Sequence, residues 1–422
     1  MLQVAGVGAT GTFLGMSHHL PPVSPDSTAA EHPSPTSTSP ASRPPAAASE
    51  LAGLHPEVSR TLAAYGASIN GLRTAHLDER ITVAEGGYGV FDRTERESRE
   101  GEHLAPYATQ ASGAGERAEQ EEPDRLRTCF ERDLDRIKHS GAFRRLAGKA
   151  QVFVNPRNDL VRTRLTHSIE VAQVATAVAR AAGLNVALTE AIALGHDCGH
   201  GPGGHPSEEV FAKYIPGGFD HAVWGADVTL VPLNLCTETL DGIRNHSWKR
   251  PSPSTPEGAV VSWADRIAYV CHDWSDAIRA GVVTPNELPK LVAARAGDRQ
   301  SAQLRFFTQS LVDGITSTGV VGMPEESAVV LDEFRKFNYN WIYLRDDSRE
   351  QAEKVIRLLT ALCDHLIDYP DLIPDLSDAP QAGSTAAQYL AVRYLATMTD
   401  RHAFGLARRL LDWPKDQLPQ MV

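Results

Sequence analysis

Beyond Arg125, apolar residues recur three and four positions apart, and that spacing predicts helices. In RLRTCFERDLDRIKHSGAFRRLAG the stripe is Leu126, Phe130, Leu134 and Ile137. Ile169, Val171, Val174, Ala175 and Val178 carry the same period behind His167, and Ala191, Leu194 and Gly195 carry it up to His196. One predicted helix therefore begins with His167 and another ends at the adjacent pair His196-Asp197. Gly199, Gly201, Gly203 and Gly204 then release the chain into a loop. After a Pro/Ser-rich loop, AVVSWADRIAYVCHDWSDAIRAG predicts a long helix with Asp265, Tyr269 and Asp273 along one face. Further periodic stretches are SAQLRFFTQSLVDGI, ESAVVLDEFRKFNYNWIY, REQAEKVIRLLTALCDHLI and AAQYLAVRYLATMTDRHAFGLARRLLDW. Strand alternation is scarce and no internal repeat is present, so the predicted fold is all-α.

The pattern fails upstream. From about Leu20 to Ser49 the chain is Pro, Ser and Ala with few large apolar side chains. It cannot bury enough surface to offset the entropy of ordering, and residues 1–50 are expected to be a disordered tail. Residues 51–124 read as a poorly defined arm: HPEVSRTLAAYGASI suits a short helix, and a charged run, ERESREGE, leads into HLAPYATQASGAGERAEQEEPD, which suits an extended arm rather than a core element. Helical chain fills 125–422.

Charge and cysteine usage narrow the function classes. A net charge of −12 argues against a general nucleic-acid binder. The charge is uneven, with eleven Lys or Arg against five Asp or Glu between Asp124 and Arg164, which suits a polyanion or a solvated helical face. Five scattered cysteines without a CxxC pair argue against a disulfide framework and a zinc ribbon, and a reducing cytoplasm is expected. The glycine-rich N-terminus has no Lys or Arg before Arg43 and reads as neither a signal peptide nor a membrane span.

The chemistry lies between Arg162 and Glu208. His167, the pair His196-Asp197, and His200 and His205 in the glycine loop stand among apolar helices, with Asp265 on the later helix. Ionisable groups in such a setting are costly unless paired or metal-bound. Imidazole nitrogen with carboxylate oxygen suits one divalent ion: Mn, Mg, Fe, Co or Zn. Pro206 suits the first position of a new helix, which predicts His205 at its N-cap and Glu208 at N3, folded back to orient His205 and favour its charged form.

The order H…HD…D resembles the HD superfamily of metal-dependent phosphohydrolases. RTRLTHSIEVAQVA and GHDCGHGPGGHPSE are similar to its deoxyguanosine triphosphate triphosphohydrolase branch, as are HLAPYAT, ERDLDRIKHSGAFRRLAGKAQVF, ADRIAYVCHDWSDAI and MTDRHA. The resemblance covers roughly Phe91 to Trp413 and makes 125–422 an HD phosphohydrolase domain with a C-terminal helical extension. It implies hydrolysis of a deoxynucleoside triphosphate to nucleoside and inorganic triphosphate. It further implies His167, His196, Asp197 and Asp265 as metal ligands, His200 as a phosphate contact and His205 as general acid. His221 matches a further active-site histidine. For the substrate, Gln151 and Asp273 match groups that hold the 3′ hydroxyl, Tyr269 one near the sugar, Arg164 and Arg335 phosphate contacts, and Tyr343 a group stacked on sugar or base. A homo-oligomer is expected, with no membrane partner and nothing to indicate nucleic acid.

The chain also departs from the branch. Cys198 replaces an aliphatic residue, Ala222 and Val223 follow His221 where Asn or Glu and then Gln are usual, and Arg393 and Thr397 replace Asp and Gly. The metal pattern is intact, whereas base preference stays open. Two alternatives also stand: another HD phosphohydrolase such as a nucleotidase or phosphodiesterase, and a non-enzymatic nucleotide-sensing or nucleic-acid-binding scaffold.

Overall fold

The computed structural model describes residues 83–84, 89–154, 158–374 and 376–419. The predicted tail over 1–50 and the HPEVSRTLAAYGASI helix lie outside the described residues. The unit Gly89–Val422 is built from helices α1 (Arg93–His103), α2 (Cys129–His139), α3 (Gly141–Arg145), α4 (Arg164–Ala182), α5 (Val186–Gly195), α6 (His205–Phe211), α7 (His221–Trp224), α8 (Thr237–Asn245), α9 (Pro256–Arg279), α10 (Lys290–Ala296), α11 (Gln300–Thr318), α12 (Glu325–Asn338), α13 (Asp346–Asp368), α14 (Thr385–Ala396) and α15 (Asp400–Leu411). The fold is all-α as the periodicity predicts. Among the described residues the extended pairing is one isolated antiparallel bridge between Ala150 and Thr163.

Local chemistry sets the helix boundaries. The α2 helix starts at Cys129 because Thr128 and Glu131 form a reciprocal capping box, so Leu126, predicted to lie on the apolar stripe, falls before the helix and is exposed. Glu95 and Glu97 on α1 pair with Arg99 and Arg93, and the charged run forms a helix of its own. The stretch after it has no regular element but is fastened: Thr109 donates to Glu257, Gly115 N to Glu238, and Arg117 pairs with the buried Asp133 at 2.6 Å. The last apolar run divides into α14 and α15 because Thr399 caps a new helix by accepting from His402 N.

Two apolar clusters flank the histidine loop. One is centred on α4, α5 and α9, with Val171, Val178, Ile192, Val260 and Ile267 fully buried. The other joins Val210 and Phe211 of α6 to Val355, Leu359 and Leu362 of α13 and to Leu395 and Ala403 of the last two helices. Polar groups tie the loop between them. Asp400 accepts from Gly203 N at 2.7 Å and from Ala150 N at 2.9 Å, while Lys149 Nζ donates to the carbonyls of His200 and Ala396.

Two glycines of the loop are sterically required. Gly204 has φ +72°, and a Cβ there would lie 2.8 Å from Arg164 Nη2. A Cβ on Gly199 would lie 2.0 Å from the His221 carbonyl oxygen and 2.4 Å from Gly225 N, both backbone atoms that cannot rotate away. Gly199→Ala should therefore separate α7 from the His196-Asp197 turn. The expected loss is at the upper end of the ~1–3 kcal/mol typical of overpacking, read as a lower denaturation midpoint in urea. An unchanged midpoint contradicts this packing.

Candidate metal centre

Three helices bring the HD residues together. His167 lies one turn into α4, whose start is fixed by Thr163 as N-cap; His196 is the C-cap of α5, itself capped by Asn185; Asp265 lies mid-way along α9. The two histidines and Asp197 are buried, and Asp265 is half-buried. His167 Nε2 lies 3.0 Å from Asp265 Oδ1, and His196 Nε2 lies 3.5 Å from Asp197 Oδ1 and 3.7 Å from Asp265 Oδ1. Ligands at ~2.1 Å from one ion stand about 3.0 Å apart when adjacent and up to about 4.2 Å when opposite, so these spacings fit one coordination shell.

Orphaned atoms give the same result. His196 Nδ1 lies 2.6 Å from the Ala193 carbonyl and must donate there, so Nε2 keeps its lone pair and, although buried, has no partner. Burial alone would neutralise the carboxylates, yet His196, Arg164 and His200 hold Asp197 well below the usual carboxylate range, and His167 and His196 do the same for Asp265. A buried, ionised Asp pair with a bare imidazole nitrogen fits a divalent cation.

Around this centre lie the other histidines. His200 stacks on His221 with centroids 3.7 Å apart, and its Nε2 is 3.2 Å from Asp197 Oδ1. His205 is exposed, its ring 5.0 Å from that of His200. The predicted cap is displaced by one residue: Gly204 is the N-cap, His205 the first helical residue, and Glu208 one position beyond N3. Glu208 consequently reaches His221, Nδ1 to Oε1 at 2.9 Å, rather than bonding His205. Burial lowers the His221 pKa, but the bond to Glu208 raises it further, for a net rise. Although the residue keeps an exposed edge, desolvation of its ring by the surrounding protein and then the Arg164 charge hold His205 down at about 4, with Glu208 opposing.

Arg164 is buried and donates from Nη1 to Asp197 Oδ2 at 2.8 Å, leaving Nε and Nη2 without partners. Five of the eleven basic residues are consumed elsewhere: Arg127 by Asp124 and Asp135, Arg132 and Arg136 by Glu121, Lys138 by Glu190, and Arg162 by Glu170 and Asp276. Four of the remaining substrate candidates form two pairs. Arg335 Nε donates to Tyr269 Oη at 3.0 Å, and Tyr343 Oη bonds Asp273, whose carboxyl burial pushes up to about 7. Gln151 Oε1 is buried without a partner.

Sequence reading missed His246. It follows α8, is buried, and places its ring 4.9 Å from His196 and 5.2 Å from His221. Its signal was present in RNHSWKRP but carried no HD-type neighbour to mark it. Arg266 was missed as well; it lies 3.3 Å over the Trp248 ring, one residue beyond Asp265.

Comparison with known proteins agrees with the geometry. The HD domain family matches residues 164–270 and the phosphohydrolase-associated domain matches 321–409. A deoxyguanosinetriphosphate triphosphohydrolase-like protein of Caldanaerobacter subterraneus subsp. tengcongensis is 41% identical over 71% of this chain and 90% of its own length. Similarly named proteins of Desulfatibacillum aliphaticivorans and Clostridium perfringens are 37% and 38% identical, over 74% and 64% of this chain and 95% and 84% of theirs. No helix among the described residues is long and apolar enough to cross a membrane. With its buried His/Asp centre able to coordinate a divalent ion, the chain belongs to the HD superfamily of metal-dependent phosphohydrolases, in the deoxyguanosinetriphosphate triphosphohydrolase-like family.

Proposed function

We propose that the protein hydrolyses deoxynucleoside triphosphates, dGTP among them, to the nucleoside and inorganic triphosphate. The observation that carries this reading is Arg164. A buried guanidinium with two unpartnered nitrogens, fixed to Asp197, is an anion receptor beside a cation centre. A phosphate chain lying between the two would meet both needs. The names of the relatives point to the same substrate.

A divalent ion held by His167, His196, Asp197 and Asp265 supplies Lewis acidity and a nucleophilic water. Arg164 and His200 grip the phosphates and fix their orientation against that centre. His205 hands a proton to the departing 5′ oxygen. The negative charge of a bound triphosphate raises its low pKa, so the imidazole gains its proton together with the substrate. Glu208 steadies His221 beside the phosphates. Tyr269, tethered by Arg335, crowds the 2′ position, and Asp273 with Gln151 takes the 3′ hydroxyl.

Incubation with dGTP and GTP, resolving triphosphate from pyrophosphate and phosphate, tests the reaction. Triphosphate from dGTP is expected, with GTP disfavoured by about 1–3 kcal/mol for its unmet 2′ hydroxyl before any clash. Tyr269→Ala should narrow that gap. Pyrophosphate or phosphate as the sole product, or equal efficiency on both nucleotides, contradicts the reading.

The acid has its own test. His205→Ala should lower kcat about 10²–10⁴-fold with little change in KM. Glu208→Gln should lose less and shift the pH profile, since it acts through His221. Near-normal kcat for His205→Ala removes it from the chemistry.

A further inference from the structure

Two arginines flank Thr163, the cap of α4, and they have different partners. Arg164 belongs to the anion site, whereas Arg162 is bonded to α9. Arg162 Nη1 donates to Asp276 Oδ1 at 2.5 Å, and its backbone N donates to Asp276 Oδ2 at 3.0 Å. Its Nε and Nη2 donate to the two carboxylate oxygens of Glu170 on α4, at 2.6 and 3.1 Å. Asp276 takes a further bond from Arg279 Nη1 at 2.8 Å. The Arg162 and Asp276 side chains are 10% and 5% exposed, so salt and water screen the pair little. A planar guanidinium spread over two carboxylates fixes orientation as well as distance.

This ion pair stands between two parts of the site. Asp273 lies three residues before Asp276 on α9, close enough for the two to be neighbours on the helix surface, and Tyr343 bonds its carboxylate. Beyond burial, Tyr343 and His167, the Asp273 carboxyl feels Asp276, which raises its pKa, and Arg162, which lowers it. His272, the residue before Asp273, places Nδ1 3.0 Å from Glu170 Oε2 and so closes the same network. On the other side, Thr163 pairs with Ala150 in the antiparallel bridge, and Arg164 N donates to the Lys149 carbonyl at 3.1 Å. Gln151 follows Ala150 directly. Arg162 therefore joins the segment that carries Gln151, the Arg164 grip and the Asp273 turn of α9.

We propose that Arg162 and Asp276 are positioning residues for sugar recognition: their ion pair sets the distance between the phosphate grip of Arg164 and the two groups that take the 3′ hydroxyl, Asp273 and Gln151. Both act through these neighbours, being bonded to each other and to Glu170 and Arg279. A nucleotide anchored by its phosphates presents its 3′ hydroxyl at one place, and a drift of about 1 Å between α4 and α9 carries the acceptors out of good hydrogen-bond range. The role rests on the dNTP reading, which makes Asp273 and Gln151 the holders of that hydroxyl.

The test is steady-state hydrolysis, by the full chain with Mn(II), of dGTP and of 2′,3′-dideoxyguanosine triphosphate, which lacks the 3′ hydroxyl. The wild type should favour dGTP in kcat/KM by about 10–100-fold, the range for one hydrogen bond to a charged group. Arg162→Gln and Asp276→Asn should each lower that ratio by about fivefold or more, through a higher KM for dGTP and an unchanged KM for the dideoxynucleotide. Arg162→Lys, which keeps the charge but not the fork, should fall between, and it carries the test if Arg162→Gln fails to fold. Circular dichroism and equilibrium dialysis of Mn(II) should match the wild type in each variant. Folded variants that keep the wild-type ratio, even at reduced kcat on both nucleotides, overturn the proposal and leave the dNTP reading intact. A wild type without preference for dGTP, or without activity on it, overturns the sugar reading and this proposal together.

Discussion

Keeping the Asp197 carboxylate ionised while burying it is the constraint around which this structure is arranged. An unpaired charge there would cost several kcal/mol, so its surroundings must be fixed in place. Arg164 supplies one partner from the first turn of α4, and His196 and His200 approach the other oxygen. That requirement locks α4 against α5 and brings the turn after α5 close to α7. It also explains why Gly199 and Gly204 admit no side chain: backbone fills one space and the Arg164 guanidinium the other.

The C-terminal helices serve the same constraint from outside the HD match. Asp400 binds the backbone of both the glycine loop and the Ala150 bridge, and Lys149 joins His200 to the end of α14. Burial lowers the Lys149 pKa to about 7, with Arg145 adding to the effect and Asp400 opposing it. The histidine loop thus depends for its shape on contacts made some two hundred residues further along the chain. This gives the MTDR stretch a physical role: it positions the loop.

Helical periodicity made the fold class legible, because a stripe at three and four residues describes burial whatever its partners are. The metal set was legible because His167, His196-Asp197 and Asp265 sit at places where apolar residues would otherwise be expected. Partner choice was harder to read. A one-residue change in the α6 cap turned Glu208 from His205 to His221, since a helix advances about 100° per residue. His246 was hidden for a related reason: its neighbours come from α5 and α7, and no local spacing records a contact between helices. The basic run misled in part because the acids that pair with it lie scattered along the chain, at Glu121, Glu170, Glu190 and Asp276.

If the centre exists to hold a cation, its buried carboxylates are mutually repulsive without it, and binding should stabilise the fold. The most direct measurement is the melting temperature with and without Mn(II), for the wild type and for Asp197→Asn, which keeps the side-chain shape and an acceptor for Arg164. At a hundredfold excess over Kd, the occupied site contributes about 2.7 kcal/mol, enough to raise the wild-type Tm by several degrees. Asp197→Asn should fold and show little or no shift. An equal shift in both proteins, or none in the wild type, contradicts the account.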